Sequence, residues 1–389
     1  MTIKNSGSEL AFSEIEAEFG QPDNGRSLGR YRNTDSEFKN KSMGQLSNLP
    51  LDTGIPTSGE IKFSQFYGKK LNMVVDYYDD TGSSGGEASN VLNRQDDGAN
   101  TLAATWRYNN LSNRVKVVGG YRDRPTGTVS GYSLSSSTWQ NGKKIFIHVN
   151  KQIGSVKSGS NSDRNKVALR TGNWPSGTSL QIDIGSSGRI QGAGGNGRQG
   201  NTSSGTPSQA FTGTSGLGIE YPAQINNSGT IRCGYGGGGG GAGSWSDPNK
   251  NPRDFGRSGG GGGGGAGIPA GDGGPQNTGG YGSACNGGPS DQNGKGKAGG
   301  DGSFDAGGIG GGGGQHGEGG GQAGSGGNGG DQNDAAQSGT AGSPNRGGGG
   351  SPGSNGHGII FSSSSVQSNS SGNKTLLGSD GGVIVGGVS

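Results

Sequence analysis

Apolar and polar residues alternate along the chain between residues 71 and 232, which is the period of β-strands with one buried face. Turn-forming residues separate the alternating stretches every ~8–15 residues, a spacing typical of a sandwich and not of βαβ units. The pattern therefore predicts an antiparallel, sandwich-like β domain in this region. Its candidate strands read LNMVVDYY, TLAATWRY, RVKVVGGY, TVSGYSL, KKIFIHVN, KVALRTG and SLQIDI.

Residues 1–70 carry short helical signals and an internal repeat. SGSELAFSEIEAEFG (6–20) and SGEIKFSQFYG (58–68) each combine S-G, a short apolar stretch, Phe-Ser and a turn closed by glycine. Ser13 with Glu16 three residues later reads as a capping box. Modules this small are expected to lack a core of their own and to dock on residues 71–190 or on a partner protein. We expect a tail-assembly interface formed by their apolar residues, namely Phe12, Ile15, Phe19, Phe63, Phe66 and Tyr67.

A second repeat joins the alternating region to the glycine-rich one. IGSSGRIQG (184–192) and INNSGTIRCG (225–234) share I-x-x-S-G-x-I about 41 residues apart. Each copy predicts a strand, a tight S-G turn and a second strand that opens into glycine. A β element is thus expected to lead into each glycine-rich stretch.

Glycine dominates residues 233–389, and the chain holds 94 glycines among 389 residues. Gly is not repeated at every third position as in collagen. The runs GGGGGGAG, GGGGGGGAG and GGIGGGGG have similar lengths and are separated by turn-forming residues. Such runs are either disordered or packed as polyglycine-II helices, whose outward N–H and C=O groups must bond to neighbouring helices. Similar lengths favour the ordered bundle, with loops exposed at its ends.

Composition and charge narrow the classes of function. The net charge is only +3 and the basic residues are scattered, so neither nucleic acid nor a membrane surface is an expected partner. Cys233 and Cys285 are too few for a disulfide scaffold, and no metal or cofactor motif occurs. Signal-peptide and membrane-spanning patterns are also absent from the sequence. With three histidines and no nucleophile or paired-carboxylate motif, the sequence predicts a protein that is not an enzyme.

The stretch GNWPSGTSLQIDIGSSGRIQGAGGNG, followed by YPAQINNSGTIRCGYGGGGGGAG, resembles glycine-rich bacteriophage tail-fibre and tail-tip proteins. The glycine runs are similar to the polyglycine-helix sandwich of T-even-type tail-fibre tip adhesins. The two N-terminal modules resemble modules common near the N-termini of phage structural proteins. The resemblance covers residues 1–70 and 172–389, and the runs beyond Gly267 are less regular than in those adhesins. It implies a mainly β protein with N-terminal attachment modules (1–70), a β domain (71–232) and a polyglycine-helix domain (233–389).

The expected function is host attachment by a non-catalytic phage adhesin made in the host cytoplasm and carried on the virion tail. A purely structural tail or baseplate component, with the glycine domain as rigid filler, is the main alternative, and a host-derived glycine-rich wall protein is a further one. Expected partners are other tail proteins, a host polysaccharide or outer-membrane protein, and a second copy of the chain. Receptor contacts are expected at isolated aromatic and basic side chains in the loops, namely Trp245, Phe255, Arg257, Tyr281 and Phe304.

Overall fold

The fold was obtained as a computed structural model. It describes residues 3–19, 21–22, 25–32, 54–69, 73–77, 115–118, 144–150, 152–155, 166–171, 179–201, 207–219, 221–243, 258–275, 296–313, 323–342, 348–361, 377–380 and 383–385. In these ranges no helix has both the length and the apolar character needed to span a bilayer.

The two N-terminal modules pack on each other around a small core. Helix α1 (Phe12–Phe19) and the 3-10 helices Leu28–Tyr31 and Phe63–Phe66 supply its aromatic residues. The rings of Phe19, Tyr31 and Phe66 lie with their centroids 6.0–6.3 Å apart and are fully buried. Tilted and edge-to-face pairs of this kind add to the burial of the rings. The expectation that the modules lack a core of their own is therefore wrong, because each module completes the core of the other.

The start of α1 differs from the predicted capping box. The backbone N–H of Ala11 donates to Glu14 Oε2 at 2.9 Å, so the helix begins one residue before Ser13. This hydrogen bond, helped by Lys4 at 3.2 Å, lowers the pKa of Glu14. An acidic side chain in the first turn also complements the positive end of the helix dipole.

Thirteen strands are described, and they form three sheets. The sheet orders are β12-β9-β6-β3-β1-β2, β13-β10-β7-β4 and β11-β8-β5. The strands are β1 (Met73–Tyr77), β2 (Val115–Val118), β3 (Lys144–Val149), β4 (Gln152–Gly154), β5 (Val167–Arg170), β6 (Ser179–Ile184), β7 (Arg189–Gln191), β8 (Ser215–Ile219), β9 (Ala223–Asn227), β10 (Thr230–Arg232), β11 (Ile359–Phe361), β12 (Leu377–Asp380) and β13 (Val383–Val385).

From β3 onward, consecutive strands belong to the three sheets in turn, so the chain winds as a parallel β-helix. β3, β4 and β5 form one coil, and β6–β8, β9–β11 and β12–β13 form the following ones. Among the described strands, every pair between coils is parallel, and the one antiparallel pair is β1 with β2. The predicted antiparallel sandwich is thus wrong. Alternation and turn spacing are the same for a hairpin and for the corner of a coil, whereas the pairing partner lies one whole coil away in the sequence.

Stacked isoleucines explain the I-x-x-S-G-x-I repeat. Ile190 pairs with Ile153 on one side and Ile231 on the other, and Ile231 pairs in turn with Ile384. Ile153, Ile190 and Ile231 are fully buried. In the neighbouring sheet, the pairing of β6 with β9 is shifted by two residues relative to the sequence repeat. The repeat aligns Ile184 with Ile225, whereas Ile182 is the residue that pairs with Ile225. The corner between β6 and β7 is two residues longer than the corner between β9 and β10, and this accounts for the shift.

Two glycine-rich excursions leave the β-helix at equivalent positions. The chain departs after β7 and returns at β8, then departs after β10 and returns at β11. The slab therefore includes residues 192–214, and the strands after residue 358 belong to the β-helix. The excursions contain ten extended segments: A (192–201), B (207–214), C (233–243), D (258–267), E (271–275), F (296–302), G (307–313), H (323–330), I (335–342) and J (348–357).

The segments are bonded to each other with a period of three residues. In segment D, the N–H groups of Gly259, Gly262 and Gly265 donate to segment A, and those of the residues that follow each of them donate to segment H. The N–H groups of Gly261 and Gly264 donate to segment F, and that of Gly267 donates to Ser303 just beyond it. The carbonyls of successive residues of segment D accept from segments C, G and E in turn, again with a period of three residues. Every N–H from 259 to 267 donates and every carbonyl from 260 to 266 accepts. Segment D is therefore surrounded by six neighbours and has no unpaired backbone group along these residues.

Candidate functional site

The segments run alternately away from and toward the β-helix, which gives the slab two distinct ends. At the β-helix end the described connections are short turns at residues 268–270, 303–306 and 331–334. The carbonyl of Ile268 accepts from Ser155 N, directly after β4, at 2.8 Å. The carbonyl of Ser303 accepts from Gly267 N at 3.0 Å in the same layer.

The far end of the slab is marked by Asn201, Ala242, Gly260, Gly324 and Thr340. Ala242 N donates to the carbonyl of Thr340, and Gly324 N donates to the carbonyl of Ala242. Asn201 and Gly260 are bonded into the same layer. Each of these residues lies close to the point where its segment leaves the described part of the chain. The five longer connections, of 5 to 20 residues, therefore all start and finish at the far end: 202–206, 244–257, 276–295, 314–322 and 343–347.

Most of the predicted receptor contacts fall in these longer connections. Trp245, Phe255 and Arg257 belong to the connection 244–257, and Tyr281 belongs to 276–295. All four lie outside the described residues. The described ends that flank the first connection, Gly243 and Ser258, are at the end of the slab remote from the β-helix. Sequence reasoning could not assign loops to ends, because that assignment depends on where the excursions begin.

Phe304 is placed differently, in a turn at the β-helix end. Its backbone carbonyl accepts from Arg189 Nη2 at 3.2 Å and from Gln191 Nε2 at 3.0 Å, and both donors belong to β7. Its side chain is half-buried. Phe304 thus lies where the slab meets the β-helix and not among the far-end connections.

Next to Phe304, Asp305 bridges two coils of the β-helix. One carboxylate oxygen contacts Arg189 Nη2 at 2.7 Å and Arg232 Nη1 at 2.6 Å, from β7 and β10 respectively. The arginine side chains are only 16% and 15% exposed, so each would carry a poorly solvated charge without its partner. Hydrogen bonding to Arg189 holds the pKa of Asp305 below its ordinary value, and the charge of Arg232 acts in the same direction. The two arginines and Asp305 form an ionic clamp between slab and β-helix.

A second contact near this interface involves the start of segment C. Cys233, Tyr235 and Ala266 form a small buried cluster. Burial raises the pKa of Tyr235 to about 12, and the neighbouring Cys233 acts in the same direction. Ala266 is the alanine that interrupts the run GGGGGGGAG, and its side chain fills this cluster. The alanine is thus placed where a methyl group has apolar neighbours.

Inside the slab, the close approach of the segments excludes side chains. A Cβ added at Gly239 would lie 1.9 Å from the carbonyl oxygen of Gly350, and one added at Gly262 would lie 1.9 Å from that of Gly238. The outer surface is different, since a Cβ at Gly312 would have no atom within 4 Å. Glycine is therefore required by contact between backbones within the slab, and not by flexibility.

The predicted assembly residues divide into buried and accessible groups. Ile15, Phe19 and Phe66 are fully buried in the core of the modules. Tyr67 is half-buried and donates its hydroxyl to the carbonyl of Ser8. Phe63 is 41% exposed, and its ring packs edge-on against the half-buried Phe12 at 6.1 Å. Of the six predicted assembly residues, Phe12, Phe63 and Tyr67 are therefore the ones open to a partner.

Comparison with known proteins places this geometry in context. Residues 125–318, nearly half of the chain, match the family model of the phage tail fibre adhesin Gp38. The crystal structure of the gp37-gp38 adhesin tip complex of the bacteriophage S16 long tail fiber is similar at 19% identity. That likeness covers 97% of this chain and 95% of the solved one, with a TM-score of 0.34. None of the curated proteins matches the chain significantly.

Proposed function

We propose that the chain contacts its receptor with the far-end connections of the slab. The family match supports a receptor-binding tail fibre protein located in the virion tail. One observation carries the proposal. All five longer connections of the excursions leave from the far end, while the short turns 268–270, 303–306 and 331–334 lie at the β-helix end. A rigid base with long connections at its free end is the arrangement expected of a binding tip.

The slab itself is proposed to be a bundle of polyglycine-II helices. The period of three residues in the hydrogen bonds agrees with the three residues per turn of that helix. The six neighbours of segment D agree with helices whose N–H and C=O groups point outward in all directions. Such a bundle would be stiff, because each segment is held by bonds to several others. Its role is to hold the far-end connections in fixed positions.

The receptor contacts are proposed to include Trp245, Phe255, Arg257 and Tyr281. Tryptophan, tyrosine and arginine dominate binding hot spots, and all four residues belong to far-end connections. Phe304 is left out of this set because its turn faces β7. We give it instead a role in holding the slab on the β-helix. No step of the proposed function requires catalysis or a cofactor.

The experiment is binding of the purified protein to host cells in competition with intact phage. Replacement of Trp245 and Phe255 by alanine is expected to weaken binding by ~1–3 kcal/mol per hot-spot residue without changing the melting temperature. Phe304→Ala serves as the control and is expected to keep full affinity for cells. Wild-type protein that shows no saturable binding would favour the purely structural role. Unchanged binding by the double variant would move the contact to another far-end connection.

The N-terminal modules are proposed to attach the protein to the rest of the tail through Phe12 and Phe63. These rings are the part of the aromatic cluster that the module's own core leaves accessible. Deletion of residues 1–70 is expected to leave a protein that binds cells but is missing from virions. Phe63→Ala, which spares the buried core, is expected to lower incorporation, and Phe66→Leu provides a comparison in which the core is altered instead. Normal incorporation of the deletion variant would contradict this assignment.

A further inference from the structure

A polar groove of about 540 Å³ runs along one flank of the slab. Its walls are formed by segments A, B and E. Along segment A the groove extends from Asn201 at the far end of the slab to Asn196 nearer the middle. The side chains that line it are amides, a hydroxyl, a carboxylate, a guanidinium, an aromatic ring and two prolines. Its described lining belongs to the segments, whereas the longer connections lie outside the described residues.

The sequence of segment A explains why side chains appear on this flank of the slab. Gly194, Gly197 and Gly200 face segment D, since a Cβ at each would lie 2.0–2.1 Å from a carbonyl oxygen of that segment. With three residues per turn, the positions between these glycines form two other rows. Asn196 and Gln199 occupy one row, and Arg198 and Asn201 occupy the other. The polar residues are thus excluded from the packed face and confined to the groove side.

Two charged side chains line the groove: Asp272, which is exposed, and Arg198, which is half-buried. Arg198 is the one that can bind an anion. Its guanidinium lies over the ring of Phe211 with Cζ 5.7 Å from the ring centroid, a cation–π arrangement that fixes the orientation of the group. Within the part of the chain that the structure describes, Arg198 has no carboxylate partner. A planar guanidinium held in this way presents paired N–H donors suited to a carboxylate or a phosphate.

One neutral group of the groove, the amide of Asn196, is also held in place. Asn196 Oδ1 accepts from the backbone N–H of Asp272 at 2.9 Å, and the carbonyl of Asp272 accepts from Gly197 N at 2.8 Å. This bond fixes the amide plane of Asn196 and leaves its Nδ2 as the donor directed away from Asp272. Gln199, Asn201 and Ser208 add further donors and acceptors along the same wall.

From these contacts we infer that the groove binds a saccharide that bears an acidic group, with Arg198 on the anion and the amides on the hydroxyls. Typical pockets for drug-like ligands are lined mainly by apolar side chains. A groove lined by amide, hydroxyl and carboxylate side chains instead matches a ligand covered with hydroxyl groups. The inference rests on the proposed receptor-binding function and adds a ligand class to it. The acidic group could be a sugar carboxylate or a sugar phosphate, and both match the guanidinium.

The test uses the full-length protein and immobilised oligosaccharides. The probes are oligogalacturonate and a phosphorylated lipopolysaccharide core oligosaccharide, each beside its carboxyl-reduced or dephosphorylated form. We expect the protein to bind at least one acidic probe and to bind its neutral form at least tenfold more weakly. Binding of only the first or only the second probe identifies the acidic group as carboxylate or phosphate.

Variants then locate the site. Arg198→Gln is expected to reduce binding of the acidic probe at least tenfold, and Arg198→Lys, which keeps the charge but not the paired donors, is expected to give an intermediate loss. Lys297→Gln is the matched control, because it removes the same charge from an exposed residue of segment F that does not line the groove. Circular dichroism melting checks that all three variants fold.

The inference is overturned if no acidic probe binds, if neutral and acidic forms bind equally, or if Arg198→Gln binds like Lys297→Gln. Binding to whole cells separates this failure from failure of the proposed function. If the wild-type protein binds cells in competition with phage but ignores the saccharides, the far-end connections recognise a protein receptor and the groove is not a glycan site. If it binds neither cells nor saccharides, both proposals fail.

Discussion

Replacing one central glycine of the slab by alanine tests whether contact between backbones holds the segments together. Gly262 is the best position, because segment D has bonded neighbours on all sides. A Cβ there would lie 1.9 Å from the carbonyl oxygen of Gly238 and 2.4 Å from its carbonyl carbon. Segments C and D must then separate by roughly 1 Å or more to restore an ordinary contact.

The magnitude follows from the bonds that this separation would stretch. Segment C donates to segment D from Tyr235, Gly238 and Gly241, at 2.8–2.9 Å. An increase of about 1 Å takes all three beyond hydrogen-bonding distance, and each contributes ~0.5–1.5 kcal/mol. Overpacking strain adds to this loss. We expect Gly262→Ala to lower the free energy of unfolding of the slab by about 3 kcal/mol.

Gly312→Ala is the matched control, since a Cβ at Gly312 would meet no atom within 4 Å. Its stability is expected to stay within ~0.5 kcal/mol of wild type, or to rise slightly because alanine restricts the unfolded chain. Thermal unfolding by calorimetry compares the two variants, and amide exchange of segments C and D reports the bonds directly. If Gly262→Ala and Gly312→Ala have the same melting temperature, the segments are not packed by backbone contact and the polyglycine-helix proposal fails.

Two further substitutions test the junction between slab and β-helix. Asp305→Asn is expected to lower stability by about 1 kcal/mol, more than most exposed pairs contribute, because Arg189 and Arg232 are left without a counter-charge. The pKa of Asp305 is lowered, so the stability contributed by the clamp is complete above pH 3.8, the ordinary pKa of an aspartate, and is lost as pH falls through the folded-state pKa. Wild type and Asp305→Asn should therefore converge in melting temperature at acid pH. A constant difference across that range would contradict the clamp. Burial raises the pKa of Tyr235 from 10.0 to about 12, so its contribution to stability is complete below pH 10 and is lost as pH rises from 10 to 12. Tyr235→Phe should accordingly unfold at higher pH than wild type in an alkaline titration followed by circular dichroism, and equal midpoints would show that Tyr235 ionises freely.

Five of the seven candidate strands could be located from the sequence, but strand partners could not; TLAATWRY and TVSGYSL lie outside the described residues. The alternation in KKIFIHVN and SLQIDI located β3 and β6, and the alternating stretches at 71–78, 114–121 and 166–172 contain β1, β2 and β5. Pairing depends on which residues meet after the chain has gone around a coil, and alternation contains no information about this distance. The repeat around Ile190 and Ile231 did contain it, because repeated strands at a fixed spacing stack in parallel. The copies around Ile153 and Ile384 are too diverged for the same pattern to be visible.

In the glycine-rich region, too, one part of the structure could be predicted from the sequence and another could not. The lengths of the runs indicated an ordered slab with connections at its ends, whereas the identity of each end required the exit points after β7 and β10. Phe304 illustrates the consequence, since an isolated aromatic residue among glycines has the same local sequence whether its turn faces solvent or β7. The groove residues Asn196 and Arg198 were missed for a different reason. Their signal is a period of three among polar residues, which only becomes meaningful once glycines at every third position are known to face segment D.

The topology also explains how a rigid base can hold the far-end connections that we propose as the binding site. The excursions leave from adjacent strands, β7 and β10, and return at adjacent strands, β8 and β11. Four covalent attachments in neighbouring positions, together with the clamp at Asp305, prevent the slab from turning on the β-helix. Most of the hydrogen bonds described between the segments join backbone groups. Because none of those bonds depends on the side chains of the far-end connections, these connections can change in sequence and length while the segments that carry them keep the same contacts.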